Sequence, residues 1–370
     1  MQLLTEKLTQ ADVARLLSDP STENRSETAR KVSAQYAETG LGMKERALIE
    51  DIFRVMVKDV EVRVREALSD SLKDNPDIPR EIAVSLANDV SEVALPIIEF
   101  SDVLRDEDLL EIIASKGEDH QQAVARREHV SENVSDALVE TGNEKVVATL
   151  VRNDGARLSE RTMNRVIDAF GANKEISEPM ALRSELPLTV AERLVALVSD
   201  KIRDHLVTHH AMSADVATDL FLSAREKATV GLLQPDTNLR DVVELIDQLH
   251  RNGRLTPTLI FRALCMGDTT FFEAALAKLA DIPIANAYRL VHDKGGKGLE
   301  ALFEKCRLSR KMLRVCQAAL EAARDMQLNS GDDRVRFRQV MIERVLTRFE
   351  DGFDPDNLDY FIAKLGRQAA

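Results

Sequence analysis

An apolar residue followed at once by Ser or Thr opens a helical pattern at six places: Val130-Ser131, Leu158-Ser159, Leu188-Thr189, Met212-Ser213, Leu255-Thr256 and Leu308-Ser309. Ile78-Pro79, Leu104-Arg105-Asp106 and Ile282-Pro283 fit the same phase. From Ile78 the successive offsets are 26, 26, 28, 30, 24, 43, 27 and 26 residues. A period in this range marks stacked supersecondary units, each unable to bury its apolar face alone. The expected fold is therefore all-α, an α-solenoid-like array of helical repeats.

Local chemistry explains the phase. A Ser or Thr hydroxyl at a helix start accepts a hydrogen bond from an orphan N–H of the first turn. Thr189 with Glu192 has the spacing of a capping box, and Thr256-Pro257 puts Pro where its missing N–H costs least. The apolar residue before each cap is placed to staple against Val134, Met163, Val216, Ile260 or Leu313.

The remaining helices follow from apolar spacing. They are expected at Thr9–Leu17, Arg25–Thr39, Lys44–Val57 (with Ala47, Leu48, Ile52, Phe53 and Met56 on one face), from Asp59 to Leu72, and over Pro79–Ala87. The pattern continues at Val90–Phe100, Asp106–Ser115, His120–Glu128, Ser131–Glu140, Glu144–Val151, Ser159–Phe170 and Leu239–His250. Breaks at Leu233–Asn238 and Asn329–Asp333 suggest four segments. These are an N-terminal helical cap (1–58), a repeat array (59–233), a second repeat segment (234–328) and a C-terminal amphipathic appendage (329–370).

Composition narrows the function classes. The net charge of −13 leaves little drive for phosphate neutralisation, so no nucleic-acid partner is expected. Aromatics are 4 % and Trp is missing, against stacking on bases. Three cysteines, Cys265, Cys306 and Cys316, give no disulfide framework and suit a reducing compartment. The N-terminus lacks the basic and apolar regions of a signal peptide, and no run approaches a membrane span. A cytoplasmic protein with no membrane association is expected.

Some segments resemble known repeats. Leu72-Lys-Asp-Asn75-Pro76-Asp-Ile78-Pro79 and Leu150-Val-Arg-Asn153-Asp154-Gly-Ala-Arg-Leu158-Ser159 resemble the leucine-rich variant repeat of bacterial proteins. Asp59-Val-Glu-Val62-Arg63 followed by Ala67-Leu68 resembles the start of a HEAT repeat. Over about residues 55–310 the chain resembles a bacterial family of uncharacterised helical-repeat proteins. That resemblance rests on Val130 to Leu138, Gly253 to Pro257, Ala263 to Asp268, Phe271 to Ala275 and His292 to Gly296. It implies a helical-repeat fold and brings no activity with it.

Few residues suggest chemistry. Lys294-Gly295-Gly296-Lys297-Gly298 has glycines and lysines at a helix start, where backbone N–H groups can hold an anion. It lacks P-loop spacing and a preceding strand, so a helix-ending turn is the competing reading. His205 and His209 share a helix face beside His210, without the H-E-x-x-H pattern of a zinc site, and no metal is expected. The acidic stretch from Asp351 to Asp359 lacks the Gly and Glu of a calcium loop. Arg126-Arg127 reads as a basic patch on a solvated helix face. The predicted helix Arg334–Phe349 joins apolar Phe337, Met341, Val345 and Phe349 to Arg334 and Arg338. Its stripe needs cover, from the last repeat, a second copy in a homodimer, or a partner.

No catalytic constellation stands out and no cofactor is implied. The leading expectation is a non-catalytic scaffold or regulatory adaptor that takes a protein or peptide on its repeat surface. The alternatives are a HEAT-like nucleic-acid-binding or DNA-repair protein, and a sensor of a small anionic ligand such as a nucleotide.

Overall fold

The computed structural model describes residues 18–37, 41–209, 214–234, 236–293 and 295–326, with Ala14 and Val340 as single positions. The expected helices Thr9–Leu17 and Arg334–Phe349 lie outside the described residues, as do His210, the Met212-Ser213 start and the acidic stretch after Asp351. All regular structure among the described residues is helical. The single β contact is a parallel bridge between Val130 and Ala156.

The chain divides into two compact units, residues 1–184 and 185–370. The first holds α1 (Thr22–Tyr36), α2 (Met43–Met56), α3 (Val62–Leu72), α4 (Arg80–Ala87), α5 (Ser91–Phe100), α6 (Asp106–Ser115), α7 (Glu118–Ala125), α8 (Glu132–Glu140), α9 (Glu144–Arg152), α10 (Glu160–Phe170) and α11 (Lys174–Ala181). Here α1, α3, α5, α7, α9 and α11 pack each on the next, as do α6, α8 and α10. Near the start of the described residues, α1 packs on α3 as α3 packs on α5.

The second unit holds α12 (Leu188–His209), α13 (Ala214–Gly231), α14 (Leu239–Arg251), α15 (Pro257–Cys265), α16 (Thr269–Ala280), α17 (Ile284–Val291), α18 (Lys297–Lys305) and α19 (Arg310–Met326). The loop at 233–238, expected as a boundary, lies within it. Val230 and Leu233 before that loop share one core with Val242, Leu245 and Phe261 after it.

Three of the marked helix starts are side-chain caps. Ser131, Ser159 and Thr256 accept N–H bonds from Val134 (3.3 Å), Thr162 (3.1 Å) and Leu259 (3.1 Å). The staple residues Val130, Val134, Leu158, Met163, Leu255 and Ile260 are all buried. Thr189 departs from the expectation. Helix α12 begins at Leu188, two residues before the start a Thr189 cap implies, with the Pro187 carbonyl taking the Ala191 N–H (2.9 Å), so Thr189 sits inside the first turn. Its capping-box partner Glu192 turns into the core instead, to Gln248 (3.1 Å) and Arg254. Tertiary burial overrides the local motif here.

The 26-residue phase has a structural counterpart in a ladder of side chain-to-carbonyl bonds. Arg127 donates to the Ser101 carbonyl (2.8 Å) and to that of Ile98. Asn153 donates to the Arg127 carbonyl (2.7 Å) and to that of Ala125 (2.9 Å). Arg183 donates to the carbonyls of Asn153 (2.9 Å) and Val151 (3.1 Å). Each rung satisfies carbonyls at a helix end, which have no partner within their own helix. Arg127, expected on a solvated face, is 6 % exposed, whereas its neighbour Arg126 reaches out to Glu99 (3.6 Å). Burial pulls the Arg127 pKa down, partly offset by Asp102 and Asp106.

Gly155 lets the ladder close. The Val130 N–H bonds its carbonyl (3.3 Å), and a Cβ here would stand 1.8 Å from the Glu128 carbonyl oxygen. Gly155→Ala is expected to displace that backbone and cost roughly 1–3 kcal/mol, as overpacking does. Ser159→Ala, which removes only a cap, is expected to cost about 1 kcal/mol. Urea denaturation of both variants checks the ranking; equal stability of wild type and Gly155→Ala would contradict the close approach.

His120 supplies a pH test. It is buried, its Nε2 has no hydrogen-bond partner among the described residues, and burial, with Lys116, depresses its pKa below 6.5. The unfolded chain therefore takes up the proton first. Its contribution is whole above pH 6.5 and is lost progressively as pH falls below that value. Denaturation of wild type and His120→Asn between pH 7.5 and 5.5 is expected to show a shallower fall in the variant.

Candidate functional site

A cleft of about 540 Å³ opens between α1 and α3. The two helices run parallel. Arg25 meets Asp59 (2.9 Å) near their N-terminal ends, and the Tyr36 hydroxyl meets the Asp77 carbonyl (3.0 Å) near their C-terminal ends. Their apolar sides, Ala29 and Val32 against Val64 and Leu68, are buried. The opposite sides stand apart because small Ser26 and Ala67 lie between long charged side chains. Glu23, Glu27 and Arg30 line one wall; Arg63, Glu66 and Asp70 line the other. Walls that carry both charge signs suit contact with a polar peptide. The sequence hides this site because each wall is an ordinary charged helix face, and only the fold places the two side by side.

In the second unit, the Glu273 carboxyl on α16 is hydrogen-bonded to the His292 ring at the end of α17, 2.7 Å away. Burial raises the Glu273 pKa, and the His292 hydrogen bond pulls it back. The His292 ring in turn lies against exposed Tyr288, with centroids 4.4 Å apart. Glu273 and His292 come from two separate segments that carried the resemblance to repeat proteins. Their meeting was not legible, because 19 residues and a turn separate them.

The Gly-rich turn follows directly. Lys294 lies outside the described residues. Gly296 has φ +70°, and Lys297 opens α18. The Asp293 carboxylate accepts the N–H groups of Gly298 (3.2 Å) and Gly295 (3.3 Å), which hold its pKa below the usual carboxylate range. Two of the donors an external anion would use are therefore engaged by the turn's own carboxylate. Gly298 serves packing: a Cβ there would stand 2.5 Å from the Leu290 carbonyl oxygen.

Two further Glu–Arg pairs sit inside this unit. Glu192 on α12 meets Arg254, and burial raises the Glu192 pKa against the pull of that guanidinium. Glu226 on α13 meets Arg262 (3.5 Å) and accepts from Thr256 (2.6 Å). The Glu226–Arg262 pair is buried and Glu192 is buried against a half-buried Arg254, and both pairs tie the α12–α13 hairpin to the segments that follow it. His205 and His209 lie on the last turns of α12. Among the described residues no group of three His, Cys, Asp or Glu is placed to hold a metal, and no helix is long and apolar enough to cross a membrane.

These features define an all-α protein whose charged side chains chiefly join helix to helix. The chain belongs to a bacterial family, DUF2336, described as an uncharacterised protein conserved in bacteria, whose model matches residues 93–352. No curated protein and no solved structure matches it. The match begins within α5, so the α1–α3 cleft lies before the matched segment.

The two glycines of the turn separate packing from flexibility. Gly298→Ala is expected to lower stability by roughly 1–3 kcal/mol through the clash with Leu290. Gly295→Ala, whose Cβ would meet only the Asp293 side chain at 3.5 Å, is expected to change it far less. Thermal melts of both, with wild type alongside, check the difference.

Proposed function

We propose that this chain is a non-catalytic, cytoplasmic interaction scaffold built as an α-solenoid, with HEAT-like or leucine-rich-variant-like repeats. The observation that carries this reading is the packing of the first unit. Helices α1, α3, α5, α7, α9 and α11 each touch the next in line, and side chains bridge loops 26 to 30 residues apart. Such stacking makes each repeat depend on its neighbours and leaves an extended surface for a partner. Charged residues at the helix interfaces are spent on inter-helix pairs: Arg65 on Asp89 (2.8 Å), Arg80 on Asp108 (3.0 Å), Lys145 on Glu118 (2.9 Å). The α1–α3 cleft is the part of this surface shaped to receive a protein or peptide segment.

Photo-crosslinking from a residue analogue placed at Ser26, in native bacterial lysate, tests the reading. A defined protein is expected to crosslink, and Arg30→Glu with Arg63→Glu is expected to reduce its capture at least about tenfold, the equivalent of 1.4 kcal/mol. Failure to capture any protein, together with saturable binding of a nucleotide or duplex DNA by the purified chain, would replace the scaffold with one of the other two functions.

A further inference from the structure

In the first unit, unlike charges on facing helices repeatedly meet. Arg54 on α2 pairs with Glu81 on α4 (2.7 Å), Arg165 on α10 with Glu140 on α8 (3.1 Å), and Arg152 on α9 with Glu175 on α11 (3.4 Å). Between the walls of the α1–α3 cleft they do not. The Ser26 hydroxyl donates to the Arg63 carbonyl (3.4 Å), which sets the register of the two walls. Glu23 then lies within one turn of Arg63, and Arg30 within one turn of Glu66. The side chains of these four residues nevertheless make no hydrogen bond or ion pair with any described residue. Glu27 and Asp70 are held along their own walls, by Lys31 (3.2 Å) and Lys73 (3.5 Å).

Charge in the cleft is also sorted by depth. Ser26 and Ala67 are small and buried, 7 % and 5 % exposed. Glu27 and Glu66, next to them in sequence, are half-buried, whereas Arg30 and Arg63 are exposed. The inner charge is therefore negative, and both guanidinium groups stand outside it.

We propose that the cleft is a socket for an arginine side chain of a partner protein, entering from a segment that carries acidic residues on either side of that arginine. The inserted guanidinium meets Glu66, and its apolar stem lies over Ala67. The flanking carboxylates meet Arg30 and Arg63 at the mouth. Arginine suits the socket better than lysine, because its planar fork binds a carboxylate through two parallel bonds and is more weakly hydrated. The same arrangement disfavours a phosphate-bearing ligand. A phosphate drawn to Arg30 or Arg63 meets Glu66 and Glu27 behind them, and like charges brought together are costly. The inference rests on the cleft being a peptide site and adds which residue enters it.

Fluorescence anisotropy of the full chain with three short labelled peptides tests it. The first carries one arginine with a glutamate on either side, in a neutral polar background. The second has glutamine in place of the arginine, and the third has glutamate there. The arginine peptide is expected to bind at least about tenfold more tightly than the glutamine peptide, the scale of a hydrogen bond between charged groups. The glutamate peptide is expected to bind most weakly. Glu66→Gln is expected to erase the preference for arginine and to leave the affinity for the glutamine peptide within about twofold. It is also expected to melt no lower than wild type, since the carboxylate it removes has no partner among the described residues to lose. Should it melt lower, Glu66→Asp decides, because it keeps the charge and is expected to keep the preference. An arginine preference that survives in folded Glu66→Gln overturns the proposal. So does a glutamine or glutamate peptide that binds as tightly as the arginine one. If Arg30→Glu with Arg63→Glu still weakens binding in those cases, the cleft remains a peptide site and only the arginine anchor falls. If no peptide binds, or binding ignores every cleft substitution, the peptide reading of the cleft fails and the anchor fails with it.

Discussion

The first unit depends on one recurring interaction: a side-chain donor reaching back to carbonyls of the preceding loop. Arg127, Asn153 and Arg183 perform it in succession. Helices of 8 to 11 residues hold few internal hydrogen bonds relative to the orphan groups at their ends. Stacked in a row, their terminal carbonyls face the next loop instead of water. A guanidinium fork or an amide satisfies two or three of them at once and sets the distance between neighbouring units. Burying Arg127 is costly, since its charge is desolvated and its Nε has no partner among the described residues. The cost is offset because the same group closes helix α5 and positions the loop that bonds Gly155.

What sequence reading captured and missed divides along this line. Caps at Ser131, Ser159 and Thr256 were legible because the donor lies three residues from the acceptor, so spacing alone defines the contact. The all-α class was legible for the same reason. Arg127 was not, because its partners are 26 and 29 residues away and an adjacent arginine made the pair look like surface charge. Thr189 shows a local signal outvoted: Glu192 has better partners in Gln248 and Arg254 than at the helix end. The core shared across the loop at 233–238 also depends on packing, since Val230 and Leu233 meet Val242, Leu245 and Phe261 in space and not in sequence. The α1–α3 cleft was invisible because its walls belong to different helices, each with ordinary i, i+4 charge spacing.

The two units solve helix joining differently. The first uses polar bonds to backbone carbonyls at the loops. The second adds ion pairs that reach its interior: Glu226–Arg262 is wholly buried, and Glu192 and Glu273 are buried against the half-buried Arg254 and His292. Such pairs contribute little net stability, but they penalise any arrangement that leaves one partner alone. They add to the direct Arg225–Asp200 pair (3.6 Å) between the two long helices in fixing the hairpin's register.

The spacing of the ladder also limits how this chain can change length. One residue inserted into α8 or α9 turns everything after it by about 100° about the helix axis. Asn153 would then face away from Arg127, and the strain would fall on Gly155, where there is no room for even a methyl group. Loops on the far side can absorb such insertions, but the stretch from Ser101 to Arg183 cannot. The intervals found here, 26 residues from Arg127 to Asn153 and 30 from Asn153 to Arg183, differ by four, about one helical turn, the smallest step that returns a side chain to nearly the same face.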